Sequence, residues 1–246
     1  KVDEFKLYDD LEEIDKYILA KIYDLDNQRG DAMEKHSYHN FFKALFEFCS
    51  VDLSAFYFDI SKDVLYCNPE NDDERLCKIT MLIHIYECLI IWYAPVLCHT
   101  MEEVWKNLKT EPLESIHLKE KKKIPEDWRN DSLLIKWDKI KKIRRLVNTT
   151  IEAARSEKKV GSSLEVEIVL CTDNVNILDI ISNVKMSEIC LVSSLETKPY
   201  IENVATNHIS KIESKEEKLK IYAYKTDKDK CLRCWQHKSE VKANGG

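Results

Sequence analysis

Over roughly the first two thirds of the chain, apolar residues recur at the three- and four-residue intervals of helices with one buried face. Leu11, Ile14, Ile18, Ile22 and Leu25 define a first helix, which Asn27 to Gly30 is expected to stop. Tyr38, Phe41, Phe42, Leu45, Phe46 and Cys49 open a second, predicted to run to about Leu65 before Asn68-Pro69 breaks it. Its aromatic stripe is wide enough to pack on two sides. Asp72 or Asp73 can cap a third helix, which ends or kinks near Tyr93 because Pro95 lacks an amide hydrogen. Thr100 and Glu103 have capping-box spacing ahead of Trp105 and Leu108. Residues 109–130, with two prolines and the run Lys119 to Lys123, are expected to form a long surface connection. Leu133, Trp137, Ile140, Ile143, Val147, Ile151 and Ala154 then predict a long helix from about Ser132 to Lys159, with Gly161 as its stop.

Beyond Gly161 the period changes. Leu164, Val166, Ile168 and Leu170 alternate with Glu165 and Glu167, the pattern of a half-buried strand. Val175 to Val184 reads as a short amphipathic helix, Ile189 to Ser193 as a second strand and Leu219 to Tyr224 as a third, after a polar stretch around Glu202 to Lys218. The fold class expected is therefore mainly α: a helical domain over 1–160, a small α+β subdomain over 161–228, and a tail over 229–246.

Composition agrees with this helical reading, since four Gly and five Pro in 246 residues are few breakers. The apolar stretch from Met81 to Leu97 is interrupted by His84, Glu87 and Pro95, and reads as a buried core helix rather than a membrane span. No charged leader followed by an apolar run opens the chain, and neither Lys1 nor Gly245-Gly246 reads as a natural terminus, so a fragment is expected. Nine Cys lie without framework spacing; Cys49, Cys77, Cys88 and Cys98 sit in apolar helical surroundings where a thiol acts as a small hydrophobe. A reducing, cytoplasmic setting is expected, with no membrane contact and a monomeric chain.

Net charge is −6, the wrong sign for a generic polyphosphate binder, but it is unevenly spread. Residues 1–75 hold 19 acidic and 9 basic side chains, whereas 139–160 hold 8 basic against 2 acidic. Lys158 and Lys159 are favoured by the helix dipole at a C-terminus whatever their function. Together with Arg144, Arg145 and Arg155 they can also offer several phosphate contacts, which weaken steeply with salt. Cys231-Leu232-Arg233-Cys234-Trp235 places Cys231 and Cys234 at the spacing of a zinc knuckle, though four donors are needed and only His237 lies nearby. Lys185-Met186-Ser187-Glu188 begins like a lysine-containing ATP loop, but Glu188 and Ile189 stand where lysine and serine are required, so it is rejected as a site. His84 and His99 read as residues in or beside the helical core. No nucleophile-base pair, Walker loop or dinucleotide fingerprint occurs.

The segment Tyr38 to Tyr66, and within it FCSVDLSAFYFDISKD, resembles the anticodon-domain helix pair of isoleucyl-tRNA synthetases. Tyr93-Ala94-Pro95-Val96-Leu97 with Thr100 to Trp105, Ser115 to Leu118, Ala153 to Glu165 (AARSEKKVGSSLE) and the Cys231 to Trp235 ending are similar to later family segments, in the same order. Valyl and leucyl enzymes share the helical fold, but the Cys-x-Arg-Cys-Trp ending is closer to the isoleucyl branch. The resemblance implies a parent enzyme that activates isoleucine with ATP in a separate Rossmann domain and transfers it to tRNA. This region would grip the anticodon stem and loop beside the catalytic core of the same polypeptide, performing no chemistry itself. The tRNA contacts expected are Arg155, Lys158 and Lys159, then Arg233 and Trp235, with Arg144 and Arg145 weaker. Cys231 and Cys234 would be zinc ligands in the intact protein, although the family's second cysteine pair is missing. The alternative is a helical protein-interaction scaffold with a structural zinc knuckle.

Overall fold

The computed structural model describes residues 6–108, 114–200, 206–239 and 241. Helix α1 spans Glu13–Glu34 and does not stop at Asn27 to Gly30 as expected. Tertiary contacts carry it onward: Asp26 binds Arg29 at 3.0 Å and Lys121 at 3.0 Å, and Ala32 is buried. A single mid-helix glycine costs only about 1 kcal/mol, which such contacts outweigh. The helix closes at His36, which takes the left-handed conformation (φ 54°) while the Ser37 amide donates to the Ala32 carbonyl at 2.9 Å.

The expected second helix is continuous to Cys67 but changes its winding. Helix α2 (Tyr38–Glu47) passes into an eleven-residue π-helical segment, Phe48–Phe58, and then into α3 (Asp59–Cys67). Phe48, Leu53, Phe56 and Tyr57 are buried there along with Asp52. The wider turn is a recognised irregularity of functional or strained helices, and periodicity alone does not reveal it. Helix α4 (Asp73–Tyr93) begins as predicted, with Asp72 accepting the Arg75 amide at 3.0 Å. Among the described residues α4 is long and apolar enough to cross a membrane by length and composition. Here it is a wall of the bundle, burying Met81, Ile85, Cys88 and Trp92 and an ion-paired Lys78.

Helix α5 (Cys98–Leu108) starts at Cys98, so Thr100 lies inside it and the expected capping box is not formed. Within 114–130 the connection is not a loose surface loop. Ile116, Ile124 and Trp128 are buried, and Ile116 joins Ile90, Ala94 and Trp105 in a local core. Its lysine run is consumed internally: Lys119 lies over the Trp105 ring at 5.0 Å, Lys121 pairs with Asp26, and Lys122 bonds Glu87. The part of this connection at 109–113 lies outside the described residues.

Helix α6 (Asp131–Ser156) is followed by β1 (Val166–Thr172), α7 (Val175–Ser182), α8 (Met186–Cys190), β2 (Ser194–Lys198), β3 (Ser210–Ser214) and β4 (Leu219–Lys225). The strands form one sheet in the order β2-β1-β4-β3, with β1 and β2 parallel and the other pairs antiparallel. Two expectations are corrected. Ile189 to Ser193 is not a strand: Ile189 and Cys190 end α8, and Leu191 closes it in the left-handed conformation (φ 53°). The polar stretch before Leu219 contains β3, whose one apolar residue, Ile212, is too little to mark alternation. Packing divides the chain into two compact units, residues 1–134 and 135–246, so α6 groups with the sheet from its second turn onward. All nine cysteines are free; Cys77 and Cys88 are buried as expected, whereas Cys98 is exposed.

Candidate nucleic-acid interface

The C-terminal unit holds every basic residue singled out from the sequence. On α6 the exposed residues Asp138, Lys142, Arg145, Thr149, Glu152 and Ser156 recur every three or four positions and form one outward stripe. Arg144 lies off that stripe. It is half-buried and its Nε donates to the Ile189 carbonyl at 2.8 Å, which ties α6 to the end of α8. Arg155 is exposed and pairs with Glu152 at 2.6 Å, while Lys159 pairs with Glu157 at 2.6 Å and donates to the Ile209 carbonyl at 2.7 Å. Exposed pairs of this kind are worth at most about 1 kcal/mol and exchange readily for a phosphate. Arg145 and Lys158 are exposed.

Gly161 is not the stop of α6. The Lys158 amide donates to Arg155 and the Lys159 amide to Ala154, at 2.9 and 3.0 Å, with Lys158 in the left-handed conformation at φ 57°. This Schellman closure projects a lysine from a position that ordinarily favours glycine. Strand register places the start of β1 (Val166) opposite the end of β4 (Lys225), and the start of β2 (Ser194) opposite Glu167. The end of α6, the entrance to β3 and the segment after β4 therefore meet at one end of the sheet.

The Cys231 to Trp235 segment emerges from that same end. Thr226 and Lys228 both bond Glu167 at 2.9 Å, and the Ser193 hydroxyl donates to the His237 carbonyl at 2.7 Å. The Trp235 amide donates to the Cys231 carbonyl at 3.0 Å, and the Cys231 amide to Gln236 at 2.9 Å, closing a tight turn with Trp235 at φ 63°. Backbone amides of Cys234 and then Arg233 point at the Cys231 sulfur and lower its pKa, as a metal-binding thiolate requires. The turn thus fits two corners of a tetrahedral site. Among the described residues no group of three or more His, Cys, Asp or Glu converges there, and His237 directs its Nδ1 to the Lys228 carbonyl at 2.7 Å. With two donors of four, no step is assigned to a metal. Arg233 is exposed, and Trp235 is 63% exposed beneath the Lys230 ammonium, 5.1 Å from its ring centre. A large aromatic held in solvent by a rigid turn is suited to stacking.

A family model described as the anticodon-binding domain of tRNA ligase matches residues 15–170, from α1 through α6 and into β1. The chain belongs to that family. In an anticodon-binding domain the basic end of α6 falls inside the matched region, and the cysteine turn lies beyond it. The chain is 38% identical over 226 residues to an isoleucine–tRNA ligase of Pelagibacter ubique, covering 92% of this chain and 23% of the relative. It is 33% identical over 231 residues to that of Bartonella henselae, covering 94% and 23%, and 34% identical over 243 residues to that of Caldicellulosiruptor bescii, covering 96% and 25%. The chain thus spans about a quarter of the length of these relatives.

The string that carries the sequence resemblance is a folding element of the first unit. Asp52 accepts from Tyr17 at 3.5 Å and pairs with Lys21 at 3.3 Å; Tyr57 donates to Asp15 at 2.7 Å; Ser61 donates to the Tyr57 carbonyl at 2.8 Å. Asp15 is fully buried and also binds Lys78, which reaches Glu12 as well, both at 2.7 Å. Burial alone would lower the Lys78 pKa, but Asp15 and Glu12 outweigh it and raise the value.

Proposed function

We propose that this chain is the anticodon-binding end of an isoleucine–tRNA ligase, a cytoplasmic translation enzyme that joins isoleucine to its tRNA with ATP elsewhere in a longer polypeptide. The observation that carries this reading is the family match over 15–170 together with isoleucine–tRNA ligase relatives aligned along 92–96% of the chain. The region performs no chemistry; it holds the anticodon stem and loop so that the distant acceptor end is presented correctly. Lys158, Lys159, Arg155 and Arg145 meet phosphates, the first two from the rigid Schellman turn. Arg233 and Trp235 meet an unstacked base, with the guanidinium and indole planes supplying the stacking surface. Arg144 acts as a positioning residue through Ile189. Cys231 and Cys234 are half of a structural zinc site of the intact protein. Functional domains divide near Gly161 and again near Asp229, and the catalytic core of the same chain is the region's protein partner, with the whole acting as a monomer.

Lys158→Glu combined with Lys159→Glu tests the phosphate contacts. In a filter-binding titration with isoleucine-accepting tRNA at about 50 mM salt, affinity is expected to fall by at least about tenfold. The slope of log affinity against log salt is expected to shrink by roughly 0.7 to 0.9 per lost contact. Equal affinity and slope in the variant would retire both residues as contacts, and absence of binding by the unaltered chain would defeat the RNA reading.

A further inference from the structure

In β4 the residues alternating with buried Leu219, Ile221 and Ala223 are Lys220, Tyr222 and Tyr224, all half-buried on the opposite face of the sheet. Register sets that face in rows: Glu196, Val169, Tyr222 and Lys211 lie side by side across the four strands, and Lys198, Cys171, Lys220 and Glu213 form the next row. Charge on the face is polarised. Glu196 stands on the β2 edge and Glu167 is occupied by Thr226 and Lys228, whereas exposed Lys211 flanks Tyr222 on the β3 edge. Glu213, the acid on the β3 edge, accepts from the Tyr200 hydroxyl at 2.8 Å, and Lys220 sits 4.0 Å over the Tyr200 ring.

His208 stands at the entrance to β3, its ring edge-on to Tyr222 (5.3 Å between centres) and Tyr224 (6.4 Å). Its Nδ1 is buried and has no hydrogen-bond partner among the described residues. The carbonyl of the next residue, Ile209, is the acceptor for Lys159, so the aromatic cluster adjoins the basic end of α6. Cross-strand packing explains a pair of tyrosines on a sheet, but a buried ring nitrogen without a partner calls for a polar group from outside.

We infer that this face is a stacking platform for one or two unpaired nucleobases of single-stranded RNA, whose phosphates pass along the β3 edge from Lys211 to Lys159 and Lys158. Aromatic faces accept any base, a base edge supplies the partner for His208, and the flanking lysines meet the backbone. The inference rests on the anticodon-binding reading and adds to it a second contact surface built from β4 rather than from α6 or the cysteine turn.

The test uses the unaltered chain and an RNA hairpin of the anticodon stem and loop carrying 5-iodouridine at each loop position in turn. Irradiation followed by peptide mapping is expected to place a crosslink on the β4 peptide, Leu219–Lys225. In parallel, Tyr222→Leu and Tyr224→Leu are expected to weaken binding roughly tenfold with the salt slope unchanged, while Tyr222→Phe binds like the parent. No β4 crosslink, or leucine variants that fold and bind like the parent, overturns the platform and leaves the anticodon-binding reading intact. No binding by the parent at about 50 mM salt overturns that reading and the platform with it. If a leucine variant fails to fold, judged by circular dichroism, the crosslink map of the unaltered chain decides.

Discussion

Lys78 in the first unit and Lys158 in the second are the same side chain put to opposite uses. Lys78 has a side chain only 3% exposed, held between Asp15 and Glu12, whereas Lys158 stands in solvent on a turn that forces its backbone into a left-handed conformation. In the acid-rich first unit the carboxylates face inward as well as outward, and a lysine placed among them fixes how α1, the π-helical segment and α4 pack. At the end of α6 the cations keep only exposed partners that a phosphate can replace. A count of charge along the chain therefore says little until each charge is assigned to the interior or to the surface.

The largest effect that would break this comparison is expected from Lys78→Met. It strands the buried Asp15 carboxylate beside Tyr57, so chemical denaturation should show a loss of about 3 to 5 kcal/mol. A loss under about 1 kcal/mol would mean that the pair contributes no more than a surface bridge does. Lys158→Gly should do the reverse. Relief of the left-handed strain is expected to raise stability by about 0.5 to 1 kcal/mol, while the lost charge weakens RNA binding; thermal melting and filter binding on one sample would show the two moving in opposite directions. The smallest effect concerns Glu87. His84 and then Lys122 beside it pull its carboxyl down to about 2. A carboxyl lowered on folding stabilises above its ordinary range near pH 4.5, and that contribution fades as pH falls toward 2. Glu87→Gln should therefore cost about 0.5 kcal/mol at pH 7 and almost nothing near pH 2 in matched melting curves, the small figure reflecting a half-exposed site.

Helix existence was legible wherever local chemistry and burial agree. Asn68-Pro69 and the Asp72 cap mark the α3–α4 junction, and the stripe from Leu133 to Ala154 marks α6. Where tertiary contacts override local signals, the reading went astray. α1 runs through Gly30 because Ala32 is buried and Asp26 is bridged twice; β3 is hidden because Lys211 and Glu213 flank a single isoleucine; and the short apolar run at Ile189 fits a helix end as well as a strand. The family likeness was read from residues that are mostly buried, which is why the fold was more legible than the binding surface. Arg144 has the composition of a contact and the environment of a structural tie. Tyr222 and Tyr224 follow the alternation of any half-buried strand, so nothing along the chain distinguishes them until His208 is brought between them by the turn before β3.

The two outer strands carry a consequence for handling the molecule. β2 and β3 are each only five residues long, with Glu196 and Lys198 on one and Lys211 and Glu213 on the other. Short margins studded with both signs of charge resist recruitment of a further strand from a neighbouring copy. Concentrated samples of this region should accordingly stay clear of ordered aggregates without any solubilising fusion, and a hydrophobic replacement at Lys211 would be the quickest way to lose that protection.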